Sequence, residues 1–144
     1  MFGKQLIERL QKENIHYHIW GKRGKTSIDE LEQKLNFKFD PQVSSFIEEI
    51  GNLGIPGLQI LIAGSEDGTY NCITETEDVG LLKEQQSPEG VKIMDNAGLS
   101  YILYADGSIK AYEHDYIKPD GIVFSYLSFS DFIASEIKGI LENP

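Results

Sequence analysis

The chain has 144 residues, 40% hydrophobic and 25% charged, the composition of one folded domain rather than of a disordered tail or a membrane span. Thirteen Lys and Arg stand against 23 Asp and Glu, a net charge of −10. Nucleic acids and anionic lipid surfaces need a cationic footprint, so general affinity for either is excluded. The single cysteine, Cys72, excludes an internal disulfide and a Cys-rich zinc site. It reads as a small core hydrophobe, because no histidine lies near it in sequence to act as a base.

Phe2 to Glu13 has the apolar spacing of an amphipathic helix, with Phe2, Leu6 and Leu10 four residues apart and Ile7 widening the stripe. Lys4, Glu8, Arg9, Lys12 and Glu13 interrupt it, so it is not a signal peptide, and no run approaches 18 apolar residues. The expected location is the cytoplasm. Ile15 to Trp20 alternates apolar residues with His16 and His18, as a short strand or an extended link. Gly21 to Lys25 is a basic loop. Ser27 and Glu30 have the spacing of a capping box, which predicts a helix opening at Ser27 with Ile28, Leu31 and Leu35 buried. Asp40-Pro41 starts another helix, with Asp as N-cap and Pro in the first turn. Val43, Phe46, Ile47 and Ile50 form its stripe and Gly51 ends it.

After Gly51 the pattern changes. Gly51, Gly54, Pro56 and Gly57 mark a turn-rich stretch, and Leu58 to Ala63 reads as a buried strand. Ser65 to Glu89 is acidic and irregular, with a short helix expected around Asp78 to Gln86. Val91 to Asp95 is a strand. Ser100 to Ala105 and Ser108 to Glu113 flank Asp106-Gly107, which predicts a hairpin closed by a type I′ turn. Ile122 to Leu127 is the last strand, and Ser128 to Leu141 a closing helix with Phe132, Ile133, Ile137, Ile140 and Leu141 on one face. Helices at both ends and strands between them predict an α+β fold with a mainly antiparallel central sheet, residues 1–144 forming one domain.

The sequence holds little catalytic chemistry. Gly24-Lys25-Thr26 resembles the end of a phosphate-binding loop, but the glycine required five residues earlier is Ile19, so the loop cannot wrap a phosphate. His16 and His18 share a face if extended, yet two histidines without a third ligand nearby make no metal site. His114 and Asp115 are adjacent and point to opposite faces of a strand. Tyr101, Tyr104, Tyr112, Phe124, Tyr126, Phe129 and Phe132 fit a sheet core better than a nucleic-acid stacking platform in such acidic surroundings. Trp20 fits an interface anchor or a core cover. No catalytic set, cofactor or metal is expected.

Charge is uneven. Residues 1–35 hold seven basic and five acidic side chains, a net of +2, whereas residues 36–144 carry a net of −12. The acidic groups are Glu66 and Asp67, then Glu75, Glu77 and Asp78, then Glu113, Asp115 and Asp120. Each reads either as solvated loop charge or as part of a surface that steers a basic partner.

From Ser27 onward the chain resembles the SUKH superfamily of Smi/Knr-like proteins. Ser27-Ile28-Asp29-Glu30-Leu31-Glu32 resembles the family's opening helix, and Leu35 to Pro41 its link to the second helix, although Phe39-Asp40-Pro41 replaces the usual Leu-Pro order. Phe46-Ile47 and Gly51-Asn52-Leu53-Gly54 resemble the end of that second helix and its glycine turn. Val91 through Gly107 resembles the central strands, and Ser128-Phe129-Ser130-Asp131-Phe132-Ile133 the start of the last helix. Residues 27–144 carry the likeness; residues 1–26 add a helix and the basic loop. The resemblance implies a non-enzymatic binding module. Its bacterial members look like immunity proteins that neutralise a cognate toxin, often a nuclease; the yeast namesakes imply the alternative, a regulatory scaffold of cell-wall or glucan synthesis. A basic toxin is the partner implied, and Glu66, Asp67, Glu77 and Asp78 are the residues expected to meet it.

Overall fold

The computed structural model describes residues 2–64, 72, 90–113 and 121–143. Apolar spacing sets the four helices whose bounds lie among the described residues. Leu6 and Leu10, about one turn apart, are buried on α1 (Phe2–Lys12). Ile28, Leu31 and Leu35 are buried on α2 (Lys25–Leu35), and Val43, Phe46 and Ile47 on α3 (Pro41–Glu49). Phe129, Phe132, Ile133 and Ile137 are buried on α4 (Phe129–Glu142). Asp40 caps α3 as its sequence implies, its carboxylate accepting from the Gln42 N–H at 3.0 Å with Pro41 in the first turn. Ser128 does the same for α4, accepting from the Asp131 N–H at 3.1 Å.

Every strand pairing among the described residues is antiparallel, so the α+β expectation holds. The strands divide into two sheets rather than one. β1 (His18–Trp20), β2 (Asn52–Ile55) and β3 (Leu58–Ile60) form the first, in that order. β4 (Gly90–Asn96), β5 (Leu99–Tyr104), β6 (Ile109–Glu113) and β7 (Ile122–Tyr126) form the second. Ile19, Leu53 and Ile60 lie in one cross-strand row and face the core, so the alternate row His18, Gly54 and Gln59 faces the other way.

One apolar cluster joins all four helices to both sheets. At its centre the Phe129 ring meets Phe46 edge-on at 5.1 Å and Phe2 at 5.7 Å. Phe46 and Phe132 are fully buried, as the helix faces require. Cys72 is buried in the same cluster. On the opposite face of the second sheet, Ile102 and Tyr112 make a smaller apolar cluster with Tyr104 and Ile122. The Tyr104 and Tyr112 hydroxyls are hydrogen-bonded there, and Lys92, 3% exposed, pairs with Asp95 at 2.6 Å.

Several sequence expectations need correction. α2 opens at Lys25 with Gly24 as N-cap, not at Ser27, and no side chain caps it, so the Ser27–Glu30 capping box does not form. The backbone that precedes it is fixed from outside the helix: the Arg23 N–H donates to the Ile47 carbonyl at 3.2 Å. Asn52–Ile55, read as part of a turn-rich stretch, is the central strand β2. β3 stops at Ile60, although Ile62 and Ala63 beyond it are buried. Only His18–Trp20 of the Ile15–Trp20 stretch is strand. Leu141 is 44% exposed and leaves the buried face of α4.

The hairpin at Asp106-Gly107 exists, but its turn is not type I′. Gly107 alone has positive φ, at 88°. The Tyr104 N–H donates to Ser108 O, and the Gly107 N–H donates to Tyr104 O, both at 2.9 Å. This is a three-residue loop with a left-handed third residue, where glycine is favoured. Asp106 accepts from the Ser108 N–H at 2.9 Å and the Ser108 hydroxyl at 2.6 Å, a local turn bond. The two-residue turn with positive φ at both positions lies at Ala97-Gly98, between Asn96 and its partner Leu99. The helix expected around Asp78 to Gln86 lies outside the described residues.

Candidate partner-binding surface

The first described stretch ends at Gly64, just before the acidic segment, and Gly64 is held in place from α3 outward. α3 is followed by Gly51, φ +84°, where an added Cβ would stand 2.5 Å from the Trp20 carbonyl oxygen and the Gly21 carbonyl carbon. Only glycine permits that approach and that φ. The approach brings Asn52, fully buried, against the basic loop and Gly64. The Asn52 amide donates from Nδ2 to Gly64 O at 2.7 Å, and its Oδ1 accepts from the Gly64 N–H at 3.1 Å. Arg23 adds a bond from Nε to Ala63 O at 3.0 Å. Cys72 is fixed as well, 1% exposed, its thiol donating to Ile62 O at 3.7 Å.

Glu66, Asp67, Glu77 and Asp78 lie outside the described residues, as do Glu75, His114, Asp115 and Asp120. What the structure does place is Gly64, two residues before Glu66 in the sequence. Sequence reasoning picked out the acidic residues and missed Asn52, Arg23 and Gly64. The available signal was Gly51-Asn52-Leu53-Gly54, read as a turn signature rather than as a brace.

A groove of about 680 Å³ lies between the first sheet and β4. Ile55, Leu58, Ile93 and Met94 give it apolar walls, and His16, His18, Gln59 and Asp95 are among its polar residues. Gly54, between His18 and Gln59 in the cross-strand row, contributes no side chain, which leaves the backbone exposed there. His18 stacks on Trp20 at 4.9 Å, and Trp20 is half-buried. Asp95 is held by Lys92 and by the Ser100 hydroxyl at 3.1 Å.

No group of three or more His, Cys, Asp or Glu side chains that could hold a metal occurs among the described residues. Lys25 is the first residue of α2 and exposed, and the loop before it is too short for a phosphate cradle. Of the seven aromatic residues weighed as a stacking surface, Tyr101, Tyr112, Phe129 and Phe132 are buried, and only Phe124 is substantially exposed, at 49%. The shifted ionisable groups hold structure elsewhere. The Ser108 hydroxyl keeps Asp106 below the usual carboxylate range, and burial pushes Tyr101 up to about 12 and Glu136 upward. No described helix is long and apolar enough to cross a membrane.

Among the described residues, four helices pack on antiparallel sheets, and Asn52 holds Gly64, the residue that precedes the acidic segment. The family model SUKH_5, SMI1-KNR4 cell-wall, matches residues 4–138, and the chain belongs to that family. The match begins inside α1, so it includes the first helix that the sequence resemblance left out. The family is generally non-catalytic. No curated protein matches the chain.

Proposed function

We propose that the chain is a non-enzymatic immunity protein that binds and neutralises a cognate bacterial toxin in the cytoplasm, residues 1–144 acting as one domain. The observation that carries this reading is membership in the SMI1-KNR4 family over residues 4–138. The charge supports it: residues 36–144 carry −12, which suits a partner with a basic, nucleic-acid-seeking surface. Glu66, Asp67, Glu77 and Asp78 are the proposed contact residues, their carboxylates taking the place of phosphates on the toxin. The brace at Asn52 supports the first two by fixing the chain two residues before Glu66.

Co-expression with the toxin domain encoded beside this gene tests it. Wild type rescues growth and binds; the fourfold reversal of Glu66, Asp67, Glu77 and Asp78 to Lys slows association, more at low salt than at high, since steering is screened over about 10 Å at 0.1 M. Equal rescue and equal salt dependence of both proteins remove the acidic contact. Failure of wild type to bind removes the immunity reading for that toxin. The second reading, a regulatory scaffold of cell-wall synthesis, is favoured by the family's cell-wall description and predicts capture of wall-synthesis proteins instead.

A further inference from the structure

We propose that β7 is a self-association edge, at which a second copy of this chain adds its own β7 antiparallel and joins the two four-stranded sheets about a twofold axis. β7 is the last strand of its sheet, and among the described residues no strand pairs with its outer edge. Such an edge offers a row of unpaired backbone donors and acceptors, which proteins ordinarily guard with charge or proline. Gly121 to Ser130 contains neither. Val123, Phe124 and Leu127 are 46%, 49% and 88% exposed, three of the four exposed large hydrophobics among the described residues.

The register explains why apolar surface remains there. Phe124 lies opposite Ala111, a fully buried core residue, so its ring continues the core-facing side past the sheet's end. Tyr126 shares that face and is covered by α4, its ring 5.4 Å from Phe132. Among the described residues no ring packs against Phe124, which is 49% exposed. Val123 is the extra residue in the irregularity between Ile122, opposite Tyr112, and Phe124. Phe124, Ser125 and Tyr126 then run in regular register with Ala111, Lys110 and Ile109, so the outer edge of that stretch keeps regular strand geometry.

Charge selects the occupant. Two copies at −10 each repel over most of their surfaces, and this uncharged strip is a place where they approach without opposing like charges. A basic partner drawn by carboxylates gains nothing from it. An antiparallel pair of identical strands is self-complementary about a twofold axis, so one strand suffices for a closed dimer.

Sedimentation velocity on the full chain over a wide concentration range tests the proposal. Wild type shifts from 16.2 kDa toward twice that mass, and the shift strengthens with salt as repulsion between like-charged copies is screened. That sign is opposite to the one expected for the toxin complex, so the two readings fail separately. Leu127→Lys and Phe124→Lys each weaken dimerisation at least tenfold, whereas Phe124→Leu retains it. Urea midpoints confirm that the variants fold; should Phe124→Lys not fold, Leu127→Lys decides alone, because its side chain is almost fully exposed. Slower amide exchange at Phe124–Tyr126 with rising concentration supports the edge. A wild type that stays monomeric throughout overturns the proposal, as does a dimer that both lysine variants keep.

Discussion

Ser45 donates its hydroxyl to the Glu49 carboxylate at 2.6 Å, and the pair caps a helix to which neither belongs. The Gly3 N–H donates to Ser45 Oγ at 3.1 Å and the Lys4 N–H to Glu49 Oε1 at 3.2 Å. Two orphan donors at the start of α1 are thus satisfied from α3, and a negative charge sits at the helix's positive end. The Ser45 bond, with smaller help from the Lys4 and Gly3 N–H groups, holds Glu49 below the usual glutamate range. A depressed carboxylate stabilises the fold above its unfolded value, near 4.5, and that contribution is lost as pH falls through the lower folded value. Glu49→Gln should therefore lower the urea midpoint at neutral pH, and the deficit should shrink progressively below pH 4.5.

Glu136 has the opposite sign. Burial on α4 raises its folded value, so ionisation there costs stability once pH rises above the unfolded range. Glu136→Gln should raise the urea midpoint at neutral pH, with the gain vanishing in acid where both states are protonated. A loss at neutral pH would show that the carboxylate has a stabilising partner.

Phe46→Ala and Phe132→Ala each remove a ring at the meeting point of helices and sheets. Both should cost about 3–5 kcal/mol, the usual range for a buried phenylalanine. Denaturant unfolding measures it, and a shift no larger than that of an exposed substitution would place the ring outside the core.

Asn52→Ala leaves the Gly64 N–H and C=O without their side-chain partner. A buried backbone group left unsatisfied costs about 1–3 kcal/mol, so the variant should lose roughly that much or more. Asn52→Asp restores the acceptor but not the donor, and should not recover the wild-type urea midpoint. Hydrogen exchange at Gly64 should quicken in both.

What was legible in the sequence follows the range of the interactions. Asp40-Pro41 announced α3 because the capping bond joins residues two apart. The stripes of α3 and α4 were legible because helical period puts Phe46 or Phe132 on the buried face whatever else the chain does. Ser27 misled because the start of α2 is decided by Arg23, whose bonds reach Ile47 and Ala63. β2 was missed because Gly54 reads as a turn residue in isolation; flanking by β1 and β3 makes it strand, with the Trp20 ring 3.7 Å from where its Cβ would be. At Asp106 the bonds to Ser108 accompany negative φ, so the hairpin was placed correctly and its turn was not. The candidate surface was legible as composition only. Its brace joins Asn52 to Gly64, a pairing that no local pattern encodes.

The two fixed points Gly64 and Cys72 bound a stretch of seven residues, and the bonds holding Gly64 run to its main chain rather than to a side chain. Main-chain anchoring is indifferent to the identity of the residues that follow. Substitutions beyond Gly64 therefore leave the Asn52 bonds themselves intact. The frame that ends at Gly64 is thus held without reference to any side chain beyond it.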